Sequence, residues 1–310
     1  MVRLIWRLPW IGLLLVGCSL PAVGGGAPTL APPLVFTGLD PASLGPHHAR
    51  FSLQFDGQDS WSYVVTTRAS DQLLERSLHI EGVEGARNPG DVRMVSDGQV
   101  SRMVGPGTQG SCLQYPSDLD VSVRFLDPDD ILPVEAFREP LVNLGDEQVA
   151  GWNTVHYVML QSELDGWQGV TVGLWHQPDF NGILRYDLEA EGWDPFFEAG
   201  WGQLQGSYQV LALEPQTIEP IAGCETSLPL PADRQRLVVL PGVVAFESGM
   251  TLDALSAHFR QQLPADGWQT LAEEVRSSGA VVLSYWREGE SLDVTIRDMG
   301  DYRRIELLRE

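Results

Sequence analysis

Lysine is missing from all 310 residues: each of the 20 basic side chains is an arginine, set against 42 acids for a formal net charge of −22. A chain so poor in positive charge is repelled by phosphate backbones and by anionic head groups, so no nucleic-acid partner is expected. Long apolar runs are also scarce. Beyond residue 20 no stretch of 18 apolar residues occurs, which excludes a polytopic helical membrane protein. Cysteine is limited to three residues and forms no CxxC pair. No HExxH, Walker or G-x-S-x-G pattern is present, so the readable zinc, nucleotide and nucleophile-elbow sites are excluded.

What is present is ample core material. Hydrophobic residues make up 43% of the chain, aromatics 9% and charged residues 20%, a composition of folded protein over a length that suits two domains.

The N-terminus carries the sharpest local signal. Arg3 and Arg7 form a positive start, and Trp10 to Val16 form an apolar stretch too short to span a bilayer. Leu15-Val16-Gly17-Cys18 follows and resembles the bacterial lipobox. The resemblance implies cleavage before Cys18 and acylation of its sulfur; an ordinary secretory signal with a chance cysteine is the alternative. Residues 1–17 are then a lipoprotein signal peptide, and the mature net charge is 18 − 42 = −24. The expected location is extracytoplasmic, lipid-anchored to a bacterial cell membrane. Two or three acyl chains hold firmly where one is marginal. Residues 18–49, rich in glycine and proline at their start, read as a flexible tether.

With Cys18 assigned to lipid, Cys112 and Cys224 are left as an even pair in an exported chain. They predict a disulfide, with two buried free thiols as the alternative.

From Arg50 to Leu213 the hydrophobic pattern alternates with period two, the signature of half-buried strands. Strands are expected near 60–67, 74–80, 92–95, 99–104, 152–160, 170–176, 183–190 and 203–213, with Asp97-Gly98 as a tight hairpin turn. A helix is expected only over Asp130–Leu141, besides a possible helical turn at 40–48. The run Gly145-Asp-Glu-Gln-Val-Ala-Gly-Trp-Asn-Thr-Val-His-Tyr157 resembles a recurring strand pair of the LolA/LppX-like half-barrel lipoproteins. Val172-Gly-Leu-Trp175, Leu184-Arg-Tyr186, Gly206-Ser-Tyr-Gln-Val210 and Ile218-Glu-Pro-Ile-Ala-Gly-Cys224 continue the same order. The resemblance covers about residues 50–228. It departs at residues 35–50, where the family's amphipathic helix cannot be read.

The resemblance implies an antiparallel half-barrel of about eleven strands around an apolar cavity that holds a lipid or an acylated molecule. The residues themselves agree with such a wall. Trp152, Trp167, Trp175, Trp193 and Trp201 fall within fifty positions. Tyr157, Met159, Trp175, Leu184, Tyr186, Tyr208 and Val210 are the candidate cavity residues, combining apolar bodies with polar tips. Plain core packing is the competing reading for each of them.

Residues 229–310 read as a separate α+β unit of order β-α-β-β-β-β. Its first strand is expected at Val243–Glu247. Thr251 caps a helix whose Leu252, Leu255, Phe259 and Leu263 form one stripe, and four strands follow at 269–275, 280–286, 291–297 and 303–308. Leu263-Pro-Ala-Asp-Gly-Trp268 resembles a motif of small modules found on bacterial envelope lipoproteins.

Reactive groupings are weak. Gly105-Pro-Gly-Thr-Gln-Gly110 matches GxGxxG without a helix after it. Asp127 to Asp130 suits calcium or an acidic helix start, and the helix start is the simpler account. His47 and His48 lack a third metal ligand. His79, His156 and His176 are dispersed, and the pairs Glu189/Glu191 and Asp127/Asp129 are expected by chance in so acidic a chain. The expectation is therefore a mainly β, non-enzymatic lipoprotein without cofactor or metal, binding a hydrophobic ligand in a half-barrel. An envelope scaffold with a filled core is the alternative. Cys18→Ala is expected to release the chain from membranes on fractionation; continued detergent-dependent extraction would exclude the lipobox.

Overall fold

The computed structural model describes residues 29–31, 44–83, 90–105, 112–119, 125–132, 141–164 and 166–310, with the backbone alone at 29–31 and 160–164. Cys18 lies outside the described residues, as do positions 106–110 of the glycine-rich run.

The fold is mainly β, and every strand pairing among the described residues is antiparallel. The larger part is built from eleven strands: β2 (His48–Gly57), β3 (Trp61–Ala69), β4 (Leu74–Glu81), β5 (Val92–Ser96), β6 (Val100–Val104), β7 (Leu113–Pro116), β8 (Leu141–Val149), β9 (Trp152–Leu164), β10 (Trp167–Gln177), β11 (Gly182–Trp193) and β12 (Trp201–Ala212). Across the sheet the order is β8-β9-β10-β11-β12-β2-β3-β4-β5-β6-β7. Within the stretch expected as tether, a short β1 (Thr29–Ala31) pairs outside β8. His48 opens β2 and is strand, so it does not belong to a helical turn.

Alternation builds the core directly. Along β12 the buried residues are Gly202, Leu204, Gly206, Tyr208 and Val210, while Gln203, Gln205 and Gln209 are exposed. The register carries one face across neighbours: Leu174 lies opposite Tyr186, Tyr186 opposite Tyr208, Tyr208 opposite Phe51, and Phe51 opposite Val65. One contiguous apolar cluster collects this inner face from β2 to β12. A sheet whose main apolar cluster draws on the same face of its strands from β2 to β12 has curled around it, the half-barrel arrangement.

The expected helix at 130–141 is corrected. The helix is one turn, α1 (Pro128–Ile131), and Leu141 already opens β8. Pro128 stands in its first turn, where the missing amide proton costs nothing. The Asp127 amide donates to the Asp130 carboxylate at 2.7 Å. Residues 133–140 lie outside the described positions.

The C-terminal unit has one strand more than expected, β13 (Gln235–Leu240), before β14 (Val243–Ser248), α2 (Leu252–Ala265), β15 (Gln269–Val275), β16 (Val281–Arg287), β17 (Glu290–Asp298) and β18 (Arg303–Arg309). Its order is β13-β14-β18-β17-β16-β15. Thr251 Oγ1 accepts from the Ala254 amide at 3.2 Å, and Leu255, Phe259 and Leu263 are fully buried against the sheet. The Leu263–Trp268 motif is a helix stop. Trp268 N donates to Leu263 O at 3.0 Å and Gly267 N to Pro264 O at 3.1 Å. Gly267 holds φ +89°, a conformation that a side chain disfavours.

A strap joins the two parts. After β12, residues 214–224 run over the outer face, where Ile218 and Ile221 bury against Val95 and the Cys112–Cys224 disulfide. Arg93 bridges the buried Glu75 and the Glu219 carbonyl, each at 2.5 Å. Beyond the disulfide, Val239 of β13 pairs with Gln114 of β7. The crosslink spans 112 positions, worth about 4–5 kcal/mol in the chain-entropy model. Replacing both cysteines by serine is expected to lower unfolding free energy by about 2–5 kcal/mol in urea titration. An unchanged midpoint would mean that the strap holds without its crosslink.

Candidate functional site

The inner face is where the sequence placed a ligand. All seven candidates are 8% exposed or less and belong to the main core cluster, and the strand register puts six of them, Tyr157, Met159, Leu184, Tyr186, Tyr208 and Val210, on the inner face. The Tyr186 and Tyr208 rings sit 6.0 Å apart, both inside the sheet. The Tyr186 hydroxyl is buried and has no hydrogen-bond partner among the described residues. Burial first, then the neighbouring Tyr208 and Asp129, push its pKa well above the usual value. An unpaired buried hydroxyl costs about 1–3 kcal/mol, so this wall carries a polar atom in need of a partner.

Trp175 occupies the other face. The register sets it opposite His156 on β9 and Arg185 on β11, while its neighbour Leu174 points inward with Tyr157 and Tyr186. Its indole stacks on His156 at 4.1 Å and lies under the Arg185 guanidinium at 4.3 Å. Trp175 Nε1 donates to Glu147 at 2.7 Å, and His156 Nδ1 lies 3.0 Å from the same carboxylate. These contacts, led by the indole donor, lower the Glu147 pKa. Gly173 leaves room for the ring, since a Cβ there would come within 3.2 Å of it.

Among the described residues two devices close the inner face. At one end, buried Asp194 accepts from Trp61 Nε1 at 2.9 Å and from the amides of Phe196, Phe197 and Ala199. Phe197 then packs edge-on to Trp61 at 4.8 Å. Over the wall itself lies the segment Phe125–Leu132, which gives Phe125, Ile131 and Leu132 to the core. Its polar side is fastened to the sheet. Arg76 donates to Asp127 at 2.6 Å and to the Leu126 carbonyl at 3.2 Å, with its guanidinium 4.8 Å from the Phe125 ring. The Leu126 amide donates to the Tyr63 hydroxyl at 2.8 Å. Burial pushes the Tyr63 pKa up to about 12, so this phenol is neutral through the physiological range. Sequence patterning gave a helix here but neither its extent nor its role as a cover, because no periodicity marks a one-turn element.

The other groupings separate. His79 meets Asp91 at 2.5 Å and Glu81 at 3.1 Å on exposed β4, and these carboxylates raise its pKa. His176 lies 2.9 Å from Asn181, and buried His47 lies 2.7 Å from the Gly45 carbonyl. Among the described residues no group of three His, Cys, Asp or Glu side chains is arranged to hold a metal ion. The acids at 127–130 serve the helix start and the Arg76 ion pair. Clefts of about 390 and 490 Å³ flank residues 224–230 where the two parts meet, the larger lined by Arg102, Arg234, Leu228 and Leu237.

No family model matches the chain, and no curated protein matches it. Among solved structures, one described as "Crystal structure of MucB" is 13% identical over 87% of this chain and 90% of that one, with a TM-score of 0.24. A second, "Crystal structure of MucB in complex with MucA(peri)", is 13% identical over 86% and 89%, with a TM-score of 0.22. Likeness at that level carries no functional transfer, and the fold rests on the strand pairings themselves.

Arg76→Ala is expected to cost about 1.5–3 kcal/mol, the range for hydrogen bonds to a charged group. Hydrogen exchange at the Leu126 and Leu132 amides should quicken while that of β10–β12 stays slow. Uniform exchange throughout would show that Arg76 does not fasten the cover.

Proposed function

We propose that this chain is an exported, non-enzymatic binding protein, acylated on Cys18. On this reading its inner sheet face takes a hydrophobic molecule when the Phe125–Leu132 segment gives way. The observation that carries the reading is the construction of that cover. The apolar wall is closed by a separate short segment, held by three apolar side chains and a polar seam to Arg76 and Tyr63. Beneath it the Tyr186 hydroxyl lacks a partner that a ligand's polar group would supply. Magnitudes set the ligand class. Withdrawing Phe125, Ile131 and Leu132 costs about 5–9 kcal/mol at roughly 1.5–3 kcal/mol each. At about 0.8 kcal/mol per buried methylene, an acyl chain of roughly ten carbons offsets that.

A second reading, a scaffold with a self-filled core, draws support from the complete burial of Leu184, Tyr186 and Val210. Native mass spectrometry of residues 44–310, offered palmitate and octanoate, separates the two. The carrier reading expects palmitate adducts, no octanoate adducts, and more palmitate bound by Arg76→Ala. A chain that stays free of both, in wild type and variant alike, establishes the scaffold.

A further inference from the structure

Two exposed aromatic pairs stand at opposite ends of the large sheet. Trp152, 40% exposed, begins β9 at the β8–β9 turn, and Phe180, 41% exposed, lies in the β10–β11 turn. Their rings meet edge-on at 5.6 Å. At the far end Trp193, 69% exposed, meets Trp201 at 6.1 Å, and Trp201 is also tied to Glu191.

The path of the chain distinguishes the ends. β1 pairs with β8 as Thr29 to Asn143 and Ala31 to Leu141, so its N-terminal end faces the Val149–Trp152 turn. Leu44, where the described chain resumes before β2, packs beside Gly182 and Phe180 at the same end. Eleven positions separate Cys18 from Thr29, a span of at most about 40 Å. Six strand positions, about 20 Å, separate Asn143 from Val149. An anchor on Cys18 that follows the direction of β1 therefore sits no more than about 20 Å beyond Trp152. To reach the Trp193 end the chain would have to reverse and run back past β1.

We propose that the Trp152–Phe180 end of the sheet seats in the head-group layer of the membrane that carries the anchor. The proposal rests on the acylation of Cys18. Tryptophan suits that layer, with an apolar ring and a wet N–H, and phenylalanine beside it adds apolar area. Exposed Asp179 adjoins Phe180 in sequence, and the whole chain is acidic, so the surface recognised is a zwitterionic one.

The test uses the full acylated chain, extracted from membranes and reconstituted into phosphatidylcholine vesicles with bromine on the upper acyl carbons. Intact mass and flotation come first; a chain without acyl mass that does not float overturns the anchor reading and this one with it. For a chain that floats, tryptophan quenching by the bromolipid is expected. The quenched signal should fall by roughly half or more in Trp152→Phe, persist in Trp193→Phe, and grow in Phe180→Trp, whose added indole needs no loss of a native one. Acylated, floating protein whose quenching is absent, or is unchanged by Trp152→Phe and Phe180→Trp, overturns the orientation. Loss in Trp193→Phe instead assigns the opposite end to the membrane.

Discussion

An open sheet that buries one face leaves a polar back and two backbone edges, and residues 214–224 use both back and edge. The strap crosses the outer face, where Ile218 and Ile221 turn a patch around Val95 into a second, smaller apolar cluster. It then delivers Cys224 to Cys112, the residue just before β7. Only after that point does β13 lie close enough to β7 for Val239 to pair with Gln114. One backbone pairing is too little to hold two units together. The constraint is the covalent closure behind it, supported by Arg93, which spans from the buried Glu75 to the strap's own carbonyl. In a chain with twice as many acids as bases, several of the arginines are spent in this way, on particular carboxylates that join separate elements.

The inner face was legible in the sequence and its closure was not. Alternation in β11 and β12 is almost unbroken, so Leu184, Tyr186, Tyr208 and Val210 could be assigned to one face before any coordinates. Trp175 could not, because Leu174 and Trp175 are both apolar and either parity suits a strand. The pairing register, which sets Leu174 opposite Tyr186 and Trp175 opposite Arg185, sends the indole outward. β13 was missed because Gln235–Leu240 follows a proline-rich boundary and has mixed exposure without a clean two-residue period. The cysteine pair was readable by parity of count. The helix near residue 130 was readable in kind but not in extent, because Asp127 and Pro128 mark its start while nothing nearby marks so early an end.

The composition of the wall bears on what the face can accept. Tyrosine is a rigid apolar plate with a polar edge, and three of the largest fully buried side chains of the big unit are Tyr63, Tyr186 and Tyr208. Tyr63 spends its edge on the cover. Tyr186 leaves its edge unspent. A phenylalanine in its place would keep the ring and leave no unmet hydrogen bond, so the hydroxyl carries a cost that packing alone does not explain.

The crosslink also governs how the molecule would carry tension. Pull on the N-terminal end against the C-terminal unit, and the covalent line runs from that end to Cys112, through sulfur to Cys224, and on to β13. The residues between the cysteines fall outside that line. They include β8 through β12 and with them every residue of the tyrosine wall except Tyr63. Traction between the N-terminal end and the C-terminal unit would load β2 to β6 and bypass β8 through β12, the part of the inner face that holds Tyr186 and Tyr208. In the reduced chain the same pull would run straight through them.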